Sequence, residues 1–153
     1  MTRQIREDDL THPEVRALVQ GHLDDMHAGS PPESVHALGL TALADPAITV
    51  WSAWEDGRLA GVGALKTLSG GRGELKSMRV ADAFRGTGVG RAILRHIMAD
   101  ATDRGLVSLW LETGTSEAFA PARRLYASEG FVECDPFDAY IEDPASVYMT
   151  RPL

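Results

Sequence analysis

The stretch AFRGTGVGRAIL, residues 83–94, sets glycine at 86, 88 and 90 between Arg85 and Arg91. An apolar pattern of helical period follows. Backbone N–H groups of such a loop and of the helix N-terminus behind it converge on an anion, and phosphate is the anion that needs them. Glycine suits the loop because a Cβ would block close approach of phosphate and some of the backbone angles. The dinucleotide fingerprint G-x-G-x-x-G does not fit: its last glycine falls on Arg91 when counted from Gly86 and on Ile93 when counted from Gly88. The P-loop fails for want of Gly-Lys-Ser/Thr. A plain tight turn would need one glycine rather than three.

The surrounding elements must hold this loop in place. RQIRE at 3–7 reads as a first strand. Residues 13–28 place Val15, Leu18, Val19, Leu23 and Met26 at helical spacing after Pro13. AGSPPES breaks that helix, and Ser34 is suited to cap a second one over 35–43. Residues 47–56 and 58–68 are β-rich runs joined by Asp56-Gly57, a hairpin signal. ELKSMRV at 74–80 opens a third strand of this region and leads into the glycine loop. The helix after the loop puts Val89, Ile93, Ile97 and Ala101 on one face and ends at Gly105. LVSLWLET at 106–113 is the next strand, and a crossover of this length joins parallel strands with right-handed sense. A short helix from about Ala118 to Glu129 and strands near FVEC and SVYMTRP close the chain. The order β-α-α-β-β-β-α-β-α-β-β predicts an α+β (mixed α/β) fold with helices packed on a mixed sheet, within one domain spanning 1–153.

Composition narrows the function. The 153 residues carry a net charge of −7, which argues against nucleic acid, because backbone phosphates are gripped by clustered Lys and Arg. Cys134 is the only cysteine, so an intramolecular disulfide and multi-thiolate metal sites are excluded. His22, His27 and His36 match no common metal-ligand spacing, so no metal is expected. MTRQIREDDL has no apolar run and no segment reaches bilayer length, so a cytoplasmic location without membrane partners is the expectation. Trp51, Trp54 and Trp110 fall on strands, as core or sheet-surface residues.

RGTGVG matches [RQ]-x-x-G-x-[GA], and ELKSMRVADAFRGTGVGRAIL resembles throughout the strand, loop and helix block of GNAT acetyltransferases. APARRLYASEGF resembles their later A-x-x-x-Y-x-x-x-G-F block. SPPESVHAL, FAPARRLYASEGF and DPASVYMT further resemble a subgroup of small bacterial members, some connected with indole-3-acetic acid production, although no residue here demands an indole. The resemblance implies the GNAT fold and acetyl-CoA as cosubstrate, with its pyrophosphate on the backbone amides of about Thr87, Gly88, Val89, Gly90 and Arg91. Gly86 shapes the loop, and Arg85 and Arg91 add charge. Backbone groups of Met78 and Val80 would take the pantetheine arm between splayed strands. Arg123 and Arg124 are candidates for the adenosine end. Phe119 stands where the family often has a cofactor-contacting asparagine, and Asp82 where it often has proline.

The same resemblance implies Glu74 as general base, backbone N–H of Met78 or Arg79 as oxyanion donor, and Tyr126 as the acid that protonates the thiolate. Strand alternation would put Glu74, Lys76, Met78 and Val80 on one face and Leu75, Ser77 and Arg79 on the other, unless a bulge switches sides partway. Cys134 has no base near it in sequence, so direct transfer is expected rather than an acyl-enzyme. The acceptor site should draw on residues 22–36 and 135–148. Asp24, Asp25, Glu33, Asp138, Glu142 and Asp143 would attract a cationic amine, whereas Lys76 and Arg79 would favour an acceptor carrying a carboxylate. A small-molecule amine is the expected partner, a homodimer the assembly allowed for. A non-catalytic acyl-CoA sensor and a protein or peptide N-acetyltransferase are the alternatives.

Overall fold

The computed structural model describes residues 2–32 and 38–153. The expected cap Ser34, together with Glu33 and His36, lies outside the described residues. Seven strands form one sheet: β1 (Arg3–Glu7), β2 (Ile48–Glu55), β3 (Arg58–Thr67), β4 (Arg72–Val80), β5 (Ser108–Gly114), β6 (Val132–Cys134) and β7 (Ser146–Pro152). Their spatial order is β1-β2-β3-β4-β5-β7-β6, antiparallel everywhere except between β4 and β5. Helices α1 (Pro13–Gly29), α2 (Leu40–Leu43), α3 (Val89–Asp103) and α4 (Ala120–Ser128) complete the fold. The described part of the second expected helix is thus only α2, with Gly39 as its N-cap rather than in its interior.

Alternation along the strands feeds two apolar layers. Val50, Trp54, Val62 and Ala64 pack with Val15, Val19 and Leu43 on the side of α1 and α2. Trp51, Ala53, Leu65, Leu75, Leu109 and Leu111 pack with Val89, Ile93, Leu94, Ile97 and Tyr126 on the side of α3 and α4. The period-3.6 stripe read from α3 is the buried one: Val89, Ile93, Leu94, Ile97 and Ala101 are all buried. Glycine in β3 lets α3 lie close, since a Cβ on Gly63 would come within 2.7 Å of the Ile93 Cγ2 and Met78 Sδ atoms. Gly105, at φ +82°, ends the helix as expected.

Two irregularities prepare the site. First, β4 and β5 pair only through Arg72–Ser108, Gly73–Leu109 and Glu74–Trp110; beyond Glu74 the parallel ladder stops and the strands part. Second, β4 bulges. The β3 register runs from Val62–Arg79 to Ala64–Lys76, so Ser77 and Met78 together stand opposite Gly63, with Ser77 at φ +55°. A bulge leaves one peptide unit out of the ladder and turns the following side chains to the other face. Met78 and Val80 accordingly pack with the α3 layer, not beside Glu74, and Arg79 reaches Asp25 of α1. Plain alternation over residues 74–80 therefore fails at Ser77, where the bulge named as the exception occurs.

Ile93 is fully buried beneath β3. Ile93→Ala is expected to lower unfolding free energy by about 2–4 kcal/mol, read as a shift in the urea midpoint at unchanged slope.

Candidate active site

The parting of β4 and β5 opens a cavity of about 120 Å³ that reaches both faces of the sheet. From the α1 face it is lined by His22, Met26, Glu74, Lys76, Glu112 and Tyr140, and from the α4 face by Met78, Leu111, Phe119, Ala122 and Tyr126. Both expected catalytic side chains, Glu74 and Tyr126, thus line the same cavity although they are far apart in sequence.

Glu74 is only 3% exposed, and one of its carboxylate oxygens is shared by two donors. Its Oε2 accepts from the Lys76 ammonium at 3.0 Å and from the Tyr140 hydroxyl at 2.6 Å, and Lys76 Nζ also donates to that hydroxyl at 3.0 Å. Tyr140 is held by an aromatic cluster, with ring centroids 5.0 Å from Phe137 and 5.5 Å from Tyr148, and Phe137 rests 5.4 Å from Trp110. Burial and the Glu74 charge push the Tyr140 phenol far above its ordinary range, so it remains a donor.

Glu112 is a cavity-lining residue that the sequence reading passed over. It shares the β5 face of Ser108 and Trp110, opposite the core-facing Leu109 and Leu111. Its Oε2 is buried with no hydrogen-bond partner among the described residues. Burial raises its pKa from 4.5 to about 7, against the lowering effect of Lys76 and with smaller raising effects from Glu74 and Asp143. The available signal was a lone carboxylate inside the otherwise β-rich run LVSLWLET, which the pleat must aim at one face.

Tyr126 enters from α4. It is buried, its ring edge-on to Phe131 with centroids 5.8 Å apart. Burial first, and the Glu112 charge second, raise its phenol well above the ordinary value. Phe119 also lines the cavity. Its ring fills the space above Gly114, where a Cβ would sit 2.3 Å from Phe119 Cδ2.

At the other end of β4, Gly88 is the N-cap of α3 at φ +86°, Gly86 is at φ +74°, and no side chain caps the helix. A Cβ on either glycine would meet nothing within 4 Å, so the loop presents bare backbone to open space. The Thr87 amide is already bonded to the Phe84 carbonyl at 3.3 Å, so the anion cradle begins at Gly88 and runs through Val89, Gly90 and Arg91. The cradle fits a pyrophosphate, and the β5-facing edge of residues 75–80, which has no strand partner, fits an extended arm bearing amides.

The arginines differ in how they are held. Arg85 pairs with Asp82 at 2.9 Å, and both are exposed. Arg91 turns to the end of α4, bonding Ser128 Oγ at 3.0 Å and Glu129 at 3.1 Å. Arg123 donates to the carbonyls of Gly114 and Ser116, at 2.6 and 2.9 Å, and ties the end of β5 to α4. Arg124 is exposed. Arg3, which nothing in its local sequence marks, reaches the Thr87 carbonyl at 3.3 Å from β1. Cys134 sits on the outermost strand β6, and burial and Asp135 raise its thiol, so it is no ready nucleophile. Among the described residues no group of three or more His, Cys, Asp or Glu could hold a metal, and no helix is long and apolar enough to cross a membrane.

Residues 15–131 match the model of the family described as "Acetyltransferase (GNAT) family". The chain is 52% identical over 149 residues to the uncharacterized N-acetyltransferase YsnE of Bacillus subtilis, covering 97% of this chain and 99% of that one. It is 40% identical over 133 residues to an IAA acetyltransferase of Azospirillum brasilense, covering 86% and 84%. Its fold matches a Bacillus subtilis acetyltransferase in complex with CoA with a TM-score of 0.74 at 18% identity, over 99% of each chain.

A carboxyl whose folded pKa lies above its unfolded value stabilises the fold when protonated, and that contribution is lost as pH rises through the folded value. With Glu112 raised from 4.5 to about 7, stability should fall between pH 5 and 8. Glu112→Gln is expected to flatten that decline and to exceed the wild type at pH 8 by on the order of 2 kcal/mol, measured as urea midpoints across the pH range.

Proposed function

The chain belongs to the acetyltransferase (GNAT) family and is an acetyl-CoA-dependent N-acetyltransferase; we propose that it acetylates the primary amine of a small molecule by direct attack, with Glu112 as proton acceptor and Tyr126 as proton donor. The observation that carries this reading is the pair of groups, an unpartnered carboxyl with a pKa of about 7 and a neutral buried phenol, lining one cavity from opposite faces of the sheet. Two titratable groups pushed to different roles by their surroundings are the mark of an acid and base pair.

Bound acetyl-CoA supplies the activated acyl group. The amides of Gly88 to Arg91 receive its pyrophosphate, and the open edge of β4 aligns its arm toward the cavity. An ammonium has no lone pair, so Glu112 takes one proton from the incoming amine, directly or through water. A backbone N–H at the Ser77–Met78 bulge, freed from the ladder, faces the charge that develops on the carbonyl oxygen. As the nitrogen–carbon bond forms and the carbon–sulfur bond breaks, Tyr126 gives its proton to the sulfur. The nitrogen's second surplus proton restores the phenol, and Glu112 releases the first to solvent, so one proton leaves per acetyl moved. Burial keeps Tyr126 protonated at every working pH, and the same burial raises the basicity of the departing thiolate.

In this reading Glu74, the family-implied base, is a positioning residue. Its Oε2 is occupied by Lys76 and Tyr140, and its charge helps hold the Glu112 pKa up. The small cavity supports a small acceptor, and the relative named an IAA acetyltransferase accords with that size class.

Turnover should rise with pH through a limb near 7 that Glu112→Gln removes, with kcat/KM down on the order of 10². Tyr126→Phe should lower kcat by a similar factor while the acetyl-CoA Kd stays within about twofold. Thiol-release kinetics across pH with calorimetric binding check both; loss of the limb in Glu74→Gln but not in Glu112→Gln would reverse the assignment.

A further inference from the structure

Three buried side-chain atoms in the lining of this one cavity have no hydrogen-bond partner among the described residues: His22 Nδ1, Ser77 Oγ and Glu112 Oε2. Buried polar atoms left unpaired cost about 1–3 kcal/mol each, so three of them on the residues that line one space mark its surroundings as a place for a ligand's polar groups. Glu112 answers the amine. His22, from α1, and Ser77, from the β4 bulge, answer a further group.

The charges around them decide what that group is. Lys76 is already paired with Glu74, and Arg79 is paired with Asp25 of α1. His22 is neutral, because burial and the Arg79 charge outweigh Asp25 and bring its pKa down to about 4. An acceptor carboxylate or phosphate would therefore lose its hydration here and find no unpaired Lys or Arg among the described residues of the lining, beside two carboxylates, Glu74 and Glu112. An uncharged hydroxyl or amide would find the neutral imidazole, which donates or accepts according to its tautomer.

We propose that His22 is an acceptor-recognition residue, and that the acceptor is a compact primary amine bearing an uncharged hydrogen-bonding group, such as an amino alcohol, rather than an amino acid or an amino phosphate. The inference rests on the small-molecule reading above and adds the chemistry of the acceptor's second group. It takes the imidazole on α1, outside the proton-transfer pair, as the selector.

The test compares propanolamine, propylamine and β-alanine, three primary amines of matched length, by thiol release at subsaturating amine and saturating acetyl-CoA. For the wild type, kcat/KM should be about tenfold higher for propanolamine than for propylamine, the worth of roughly one hydrogen bond, with β-alanine the slowest. His22→Ala should bring propanolamine down to the propylamine rate and leave propylamine within about twofold. His22→Asn, which keeps a polar atom near the Nδ1 position, should restore most of the difference. A panel led by β-alanine, or an equal loss for all three amines in His22→Ala, would overturn the inference and leave the N-acetyltransferase reading intact. Turnover of none of the three, with acetyl-CoA still bound, would overturn the small-amine reading and this inference with it.

Discussion

The hydrogen-bond ladder between β4 and β5 stops after three residue pairs, and the site depends on that unfinished sheet. A parallel pair that continued past Glu74 and Trp110 would close the cavity and seal Tyr126 away from Glu112. Two features keep the strands apart. The bulge at Ser77 and Met78 redirects β4 a few residues past the last pair, and Arg123 holds the end of β5 toward α4 through the Gly114 and Ser116 carbonyls. Backbone groups left open in a sheet are a liability in most folds. Here they form the edge on which an amide-bearing cosubstrate can complete the sheet.

The split also separates the chemistry. A carboxylate and a phenol on the same side of a sheet would bond each other. Carried on β5 and α4, Glu112 and Tyr126 line the gap from opposite faces, and Glu112 Oε2 is left without a hydrogen-bond partner among the described residues. The neighbouring pair does the opposite. Glu74, Lys76 and Tyr140 bond one another, and the charges of Glu74 and Lys76 act on Glu112 in opposite directions. Groups bonded to one another are held in place, whereas a buried group without a partner has its titration shifted by its surroundings.

Much of this was legible in the residues. The glycine loop, the helical stripe of α3, the hairpin of β2 and β3 and the parallel crossover follow from local rules, and all are present. Tyr126 was reached through its block and lies in the cavity. Three things were hidden. Glu112 sits in a run whose composition signals a buried strand, so its chemistry was masked by its neighbours. The contact of Glu74 with Tyr140 spans 66 positions and depends on the irregular chain between β6 and β7, which no periodicity describes. The arginines looked alike in sequence, yet Arg91 and Arg123 are held by α4 and by carbonyls, partners that only the packed structure supplies.

The most direct test of the account is a pH titration of side-chain carboxyl carbons by NMR, with 13C-labelled glutamate, in the wild type and in Glu112→Gln. The account predicts one carboxyl titrating near pH 7 in the wild type, absent from the Glu112→Gln spectrum. A wild type in which every glutamate titrates below about pH 5, or a near-neutral signal that survives in Glu112→Gln, would contradict it and return the proton acceptor's place to Glu74 or to water.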